Sequence, residues 1–131
     1  MKVHGILNSS ISQVLSTMGH TDQLTIADCG LPIYDEAQRI DLALTLGQPS
    51  FIEVLDAVLA DMRVEKVIIA SQIRVENPQL LTALNERFQG IEMAFVDHET
   101  FKQLTHQSKA VIRTGEATPY ANIILQSGVI F

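Results

Sequence analysis

"PSFIEVLDAVLADMRVEKVIIA", residues 49–70, sets two periodicities back to back. Its first part predicts a helix over 49–62. Ser50 followed by Glu53 forms a capping box, in which hydroxyl and carboxylate each take an unpaired N–H of the first turn. Ile52, Leu55, Leu59 and Met62 then recur on one helical face. The second part, "EKVIIA" at 65–70, runs apolar without alternation, as a strand covered on both faces does. A helix that feeds a strand buried on two sides points to an α/β domain.

The same alternation continues in both directions. "NSSISQVLSTMGH", residues 8–20, reads as a helix capped by Asn8 or Ser9, with Ile11, Val14, Leu15 and Met18 on one face and Gly19 as its stop. "QLTIAD" follows as a strand of about five residues, ended by a turn at Gly30-Leu31-Pro32, and "IDLAL", 40–44, as a second short strand. "NPQLLTALNERFQG" has Asn77 as cap, Pro78 at the first helical position and Gly90 as stop. "IEMAFVD" returns as a strand, "HETFKQLTHQ" as a short helix, and "KAVIRTG" and "ANIILQSGVIF" as strands. The expectation is one domain over residues 1–131: a largely parallel central sheet with helices on both faces, the two last strands adding an antiparallel or irregular edge.

Composition narrows the function. At 47% hydrophobic and 18% charged, the chain can bury a sizeable core, built from aliphatic residues because aromatics are only 5% and Trp is absent. A net charge of −6 with scattered Lys and Arg argues against nucleic-acid binding. No stretch is long and apolar enough for a membrane span, and "MKVHGILNSS" lacks a signal-peptide core. The single cysteine, Cys29, cannot form an internal disulfide, so the cytoplasm is expected.

Ligands of open α/β sheets gather at the carboxyl ends of strands. Asp28 ends the first strand, Asp97-His98 the fourth, and Arg113-Thr114-Gly115-Glu116 the fifth. Each has a plain structural alternative: Asp28 as a turn cap, His98 as a histidine at a helix start with no task, Arg113 and Glu116 as an ion pair. His20 follows a helix C-terminus, where the dipole favours a protonated ring, whereas His98 starts a helix, where it disfavours one. Tyr120 and Asn122 precede an apolar strand and suit hydroxyl recognition, or else form a turn with a half-buried Tyr. Cys29 reads as a small buried filler rather than a nucleophile. No metal-ligand spacing and no Gly-rich phosphate loop is present.

Taken together, "HGILNSSISQVLSTMGHTDQLTIADCGLPI", "RIDLALTLGQPSF", "NPQL" and "VIRTGEATPYANIILQSGVIF" resemble the D-ribose pyranase family, the RbsD-type proteins, over essentially the whole chain. Fucose mutarotases are related; Tyr120-Ala121-Asn122 and the Gly30-Leu31-Pro32 turn side with the ribose branch. The resemblance implies interconversion of β-pyranose and β-furanose D-ribose without cofactor or metal. It implies His20 as proton donor, with sugar contacts from Asp28, His98, Tyr120, Ala121 and Asn122. It further implies a homo-oligomer, commonly a decamer of two stacked pentamers with inter-subunit sites, and a link to ribokinase and a ribose transporter.

Ring opening needs one proton delivered to the ring oxygen and one removed from the anomeric hydroxyl, so an acid and a base suffice. His20 suits the acid role because a histidine titrates near neutrality. Asp28 is expected to fix a sugar hydroxyl or to orient His20, with one turn and one strand bringing the two to the same pocket edge. His98, Asp28 and a bound water stay open as the base. A binding-only accessory of a transporter or kinase is the alternative from another class. The C-terminal "ANIILQSGVIF", apolar on both parities, is expected to need cover from a second subunit as an exposed edge strand.

Overall fold

The computed structural model describes residues 1–131. In chain order it has α1 (Ser9–Thr17), β1 (Gln23–Ala27), β2 (Arg39–Asp41), α2 (Phe51–Leu59), β3 (Val64–Ala70), α3 (Ile73–Glu76), α4 (Pro78–Arg87), β4 (Glu92–Val96), α5 (His98–Leu104), β5 (Ser108–Arg113) and β6 (Ile123–Ser127). The six strands form one sheet in the order β2-β5-β1-β6-β3-β4. β6 runs antiparallel to both β1 and β3; the other pairings are parallel. The α/β reading with a largely parallel sheet therefore holds.

Local signals account for most of these elements. Asn8 caps α1 by accepting from the Ile11 N–H, and Ser50 and Glu53 close the capping box of α2 from both sides. Asn77 caps α4, with Pro78 first in the helix. Gly90 takes a positive φ of 76° beyond the end of α4, as expected of a glycine stop. Gly19 does not: α1 ends in an extended Met18, and the left-handed residue of that turn is Thr21, at φ 69°. The second strand is shorter than 40–44, because the chain leaves the sheet after Asp41.

The core divides by sheet face. Leu24, Ile26, Val67, Ile69, Ile123 and Leu125 meet Ile11 and Val14 of α1, Phe51, Val54, Leu55 and Val58 of α2, and Leu84 of α4. Ala27, Ile68, Ala70, Val111 and Ile124 turn the other way, onto Phe101 of α5 and Leu31. Alternate residues of one strand thus enter opposite cores, which is why β3 and β6 are apolar on both parities.

One expectation is overturned. β6 is no edge strand; it lies between β1 and β3, with Ile123, Ile124 and Leu125 fully buried. The true edges, β2 and β4, are short, with three and five residues. The strand also stops at Ser127, which leaves Val129, Ile130 and Phe131 outside the sheet and 38%, 85% and 101% exposed.

Candidate active site at two edges of the sheet

Because five strands are parallel and β6 opposes them, the residues after β1, β4 and β5 and before β6 share one edge of the sheet. Asp28, His98 and Tyr120 meet there, with Gly30, Leu31 and Pro119, around a cleft of about 330 Å³. This is the carboxyl edge where open α/β sheets hold ligands.

Asp28 is held in detail. Its backbone N–H donates to Asn122 Oδ1 at 2.8 Å, and Asn122 Nδ2 donates back to Asp28 Oδ2 at 2.9 Å. Asp28 Oδ1 accepts from the Gly30 N–H at 2.9 Å, so the carboxylate caps its own turn and faces the cleft as well. Asn122 is only 1% exposed, and both ends of its amide are occupied by Asp28. Ala121 is fully buried. Within this segment, therefore, Tyr120 is the residue that lines the cleft, while the Asn122 side chain serves Asp28.

Tyr120 has a φ of 55°, a left-handed conformation that costs a non-glycine residue free energy unless its surroundings impose it. The surroundings do so. Asn77 Nδ2 donates to Pro119 O at 2.9 Å and to Thr118 Oγ1 at 3.1 Å, and Asn122 anchors the far side. The Tyr120 ring then stands edge-on to His98, with centroids 5.1 Å apart. His98 is the first residue of α5, behind the Asp97 cap. The Thr100 backbone N–H donates to Asp97 at 2.7 Å and is the main cause holding that carboxyl below its ordinary range. His98 Nδ1 is buried and meets no hydrogen-bond partner in the protein. A buried polar atom of this kind costs free energy unless something pairs with it.

The Arg-Thr-Gly-Glu segment is the scaffold behind this cleft. Arg113 and Glu116 are not partners of each other, contrary to the ion-pair reading. Arg113 pairs with Asp41 at 3.1 Å and donates from Nε to the Cys29 carbonyl at 3.2 Å. Glu116 Oε1 accepts from the Phe51 N–H at the start of α2, and its carbonyl accepts from the Cys29 N–H. Thr114 Oγ1 donates to Ala27 O at 2.8 Å. A side chain at Gly115 would run into the Gln48 backbone.

His20 lies elsewhere. It precedes β1, whereas Asp28 follows it, and the five residues of β1 span about 16 Å. The expectation that one turn and one strand return the chain to the same pocket edge is therefore wrong: the strand separates the two residues. His20 borders a second cleft of about 410 Å³ at the amino edge, with Met18, Met62, Arg63 and the terminal Val129, Ile130 and Phe131. Its backbone is fixed by the tight turn around it. The Gly19 N–H donates to Asp22 Oδ2, the Thr21 N–H to Ser127 O, and the Ser127 N–H to Asp22 O. Its ring meets Glu65, not Asp28: Nε2 lies 2.9 Å from Glu65 Oε2. Glu65 was not visible as a functional residue in the sequence, since it stands at the start of the apolar β3 run, 45 positions from His20. No three His, Cys, Asp or Glu side chains converge to hold a metal.

The chain is thus an α/β protein with a small polar cleft at the carboxyl edge of its sheet and an exposed histidine at the other edge. The RbsD / FucU transport protein family matches residues 1–130, and the chain belongs to that family. It is 60% identical to a D-ribose pyranase of Staphylococcus haemolyticus over 97% of both chains. Among solved structures it is similar to Bacillus subtilis RbsD complexed with D-ribose, with a TM-score of 0.97, 49% identity and complete coverage of both chains. FucU from Bifidobacterium longum is more distant, with a TM-score of 0.76 and 27% identity over 95% of this chain and 97% of that one.

Proposed function

We propose that this chain is an isomerase that interconverts the β-pyranose and β-furanose forms of D-ribose. The observation that carries the reading is the cleft of Asp28, His98 and Tyr120, with its unpartnered His98 Nδ1, in a chain that matches a ribose-bound RbsD over its full length. Asp28 and His98 hold sugar hydroxyls, and Tyr120 packs against the ring. The reaction moves protons only: an acid protonates the ring oxygen, a base takes the anomeric proton, and the open chain recloses through a different hydroxyl. His20 is the acid, and no cofactor is used.

Since His20 stands a strand's length from the cleft, the working site joins two protomers, one giving its amino edge and the other its carboxyl edge. The exposure of apolar side chains supports this. Val129, Ile130 and Phe131 are exposed beside His20, and Leu44 (79%), Leu46 (82%) and Val75 (81%) follow the carboxyl ends of β2 and β3. Two different edges that meet form a heterologous contact, the kind that builds a ring when the rotation between protomers closes. A decamer of two stacked pentamers is the assembly we propose, in the cytoplasm, supplying ribokinase from a ribose transporter during ribose catabolism. No helix is long and apolar enough to cross a membrane.

Magnetisation-exchange NMR on D-ribose tests the reading. Exchange between pyranose and furanose signals should accelerate with protein concentration, and faster than for fucose. The family's description as transport proteins favours a competing role as a binding-only accessory. That role predicts ribose binding with no acceleration, and such a result would reject the isomerase.

A further inference from the structure

We propose that Glu65 is a positioning residue for ring opening: it clamps His20 through Nε2, which leaves Nδ1 as the atom that exchanges a proton with the sugar. The proposal rests on the isomerase reading above. Glu65 Oε2 lies 2.9 Å from His20 Nε2, and Glu65 Oε1 accepts from Gln126 Nε2 at 2.9 Å. Gln23 Nε2 donates to Gln126 Oε1 at 3.4 Å. These residues sit on or beside the neighbouring strands β1, β6 and β3, so the line from Gln23 to His20 is laid down by strand pairing. An exposed ion pair ordinarily contributes little, because two mobile side chains lose rotamer freedom to meet. Here both carboxylate oxygens are committed, and Glu65 cannot turn from His20 without losing Gln126.

The charge state follows from the same contacts. Hydrogen bonding from Gln126 first, and from His20 second, holds the Glu65 carboxyl below its ordinary range. Glu65 is therefore an ionised acceptor across the whole range in which histidines titrate. A carboxylate only accepts, so Nε2 keeps its hydrogen in both charge states of the ring. The hydrogen bond on one ring nitrogen decides which nitrogen works, and the labile proton is left on Nδ1. In the forward step Nδ1–H protonates the ring oxygen as its bond to the anomeric carbon breaks. The anomeric hydroxyl gives its proton to the base, the aldehyde forms, and His20 is left neutral with Nε2–H on Glu65. On closure the attacking hydroxyl loses a proton and the aldehyde oxygen gains one. Over the cycle no proton is consumed and nothing is oxidised.

Glu65→Gln keeps the shape and removes the charge. Its kcat should fall about 10- to 100-fold, a part of what an oriented general acid contributes, with KM little changed. Gln126→Leu, which frees the carboxylate, should move kcat in the same direction by less. His20→Ala/Glu65→Gln should be no slower than His20→Ala alone, because the two residues act as one unit. In ¹⁵N spectra of the ring, His20 should carry its proton on Nε2 in the wild type and a mixture of tautomers in Glu65→Gln. Wild-type kcat in Glu65→Gln, or a fall in kcat explained by dissociation with the His20 ring signals unchanged, would overturn the role of Glu65. His20→Ala turning over at the wild-type rate would instead reject His20 as the acid, and with it the reading on which the proposal rests.

Discussion

The two edges of the sheet are built to different standards. At the carboxyl edge nearly every polar group has a partner within the chain: Asp28 with Asn122 and Gly30, Cys29 with Arg113 and Glu116, Pro119 with Asn77. At the amino edge the backbone around His20 is fixed, yet the side chain is 53% exposed and beside it lie three apolar residues in solvent. One edge pairs most of its polar groups within the chain; the other leaves a histidine and three apolar side chains exposed. Preorganised polar groups bind best when their geometry is fixed before the ligand arrives. On the proposed reading, an acid supplied by a neighbouring protomer needs only a rigid backbone and one clamp. The division follows from the pairing of β1 with β6, which sends Asp28 and Asn122 to one edge and His20 and Gln126 to the other.

The largest test removes the contribution of the amino edge. His20→Ala should lower ribose exchange by about 100-fold or more, the usual share of a general acid. The fold should survive, since the residue is exposed. Circular dichroism and exchange NMR on the same sample separate the two effects. A folded variant with undiminished exchange would show that the amino edge has no part in the chemistry.

The second test asks whether the edges come from different chains. His20→Ala and His98→Ala proteins, each nearly inactive, are dissociated, mixed in equal amounts and reassembled. If every site joins two protomers, about a quarter of the sites at random mixing receive both intact edges. Exchange should recover to that fraction of wild type. No recovery, with mixed assemblies present, would place both edges' functional residues within one protomer.

Asn122→Ala probes the carboxyl edge by itself. It removes two hydrogen bonds and leaves the part-buried N–H of Asp28 without its partner, a loss of about 1–3 kcal/mol. Thermal stability should fall at fixed protein concentration, and KM for ribose should rise more than kcat falls, because Asp28 is loosened and His20 is untouched. A change in kcat alone would contradict the separation of the edges.

How far the sequence revealed this depends on the range of each signal. Ser50 with Glu53, Asn77 with Pro78, and Asp97 before His98 act within four residues, and local chemistry decides them. The run at 65–70 shows burial on both faces directly. The same two-sided pattern in β6 suggests an edge in need of cover, yet it marks burial on both faces as it does in β3; sequence order does not tell where a last strand inserts. α3, four residues long, is too short to show a period. Asp28, His98 and Tyr120 were found because they end strands or precede one. The distance between His20 and Asp28 follows from the single five-residue strand between them; the contact from Glu65 depends on which strands pair, and no spacing along the chain encodes that.

The smallest expected effect compares the edges through their acids. Asp97 caps the helix that carries His98, and Glu65 clamps His20; both carboxyls are held below their ordinary range, by the Thr100 N–H in one case and by Gln126 in the other. A carboxyl with a lowered folded pKa adds stability that is present in full above its unfolded pKa and lost as the pH falls through its folded one. Acid should therefore loosen both edges, from the ordinary carboxylate range downward. Asp97→Asn separates them. Asn caps a helix nearly as well as Asp but does not titrate. At neutral pH the variant should show almost wild-type stability and exchange. On acidification the backbone amide signal of Thr100, whose hydrogen bond Asp97 accepts, should hold its native position to lower pH than in the wild type, while the side-chain amide signal of Gln126, whose hydrogen bond Glu65 accepts, moves as before. The cap and the clamp are independent only if the two amides respond separately. Equal shifts of both amides in Asp97→Asn would mean that the edges are coupled through the sheet, and that the comparison between them fails.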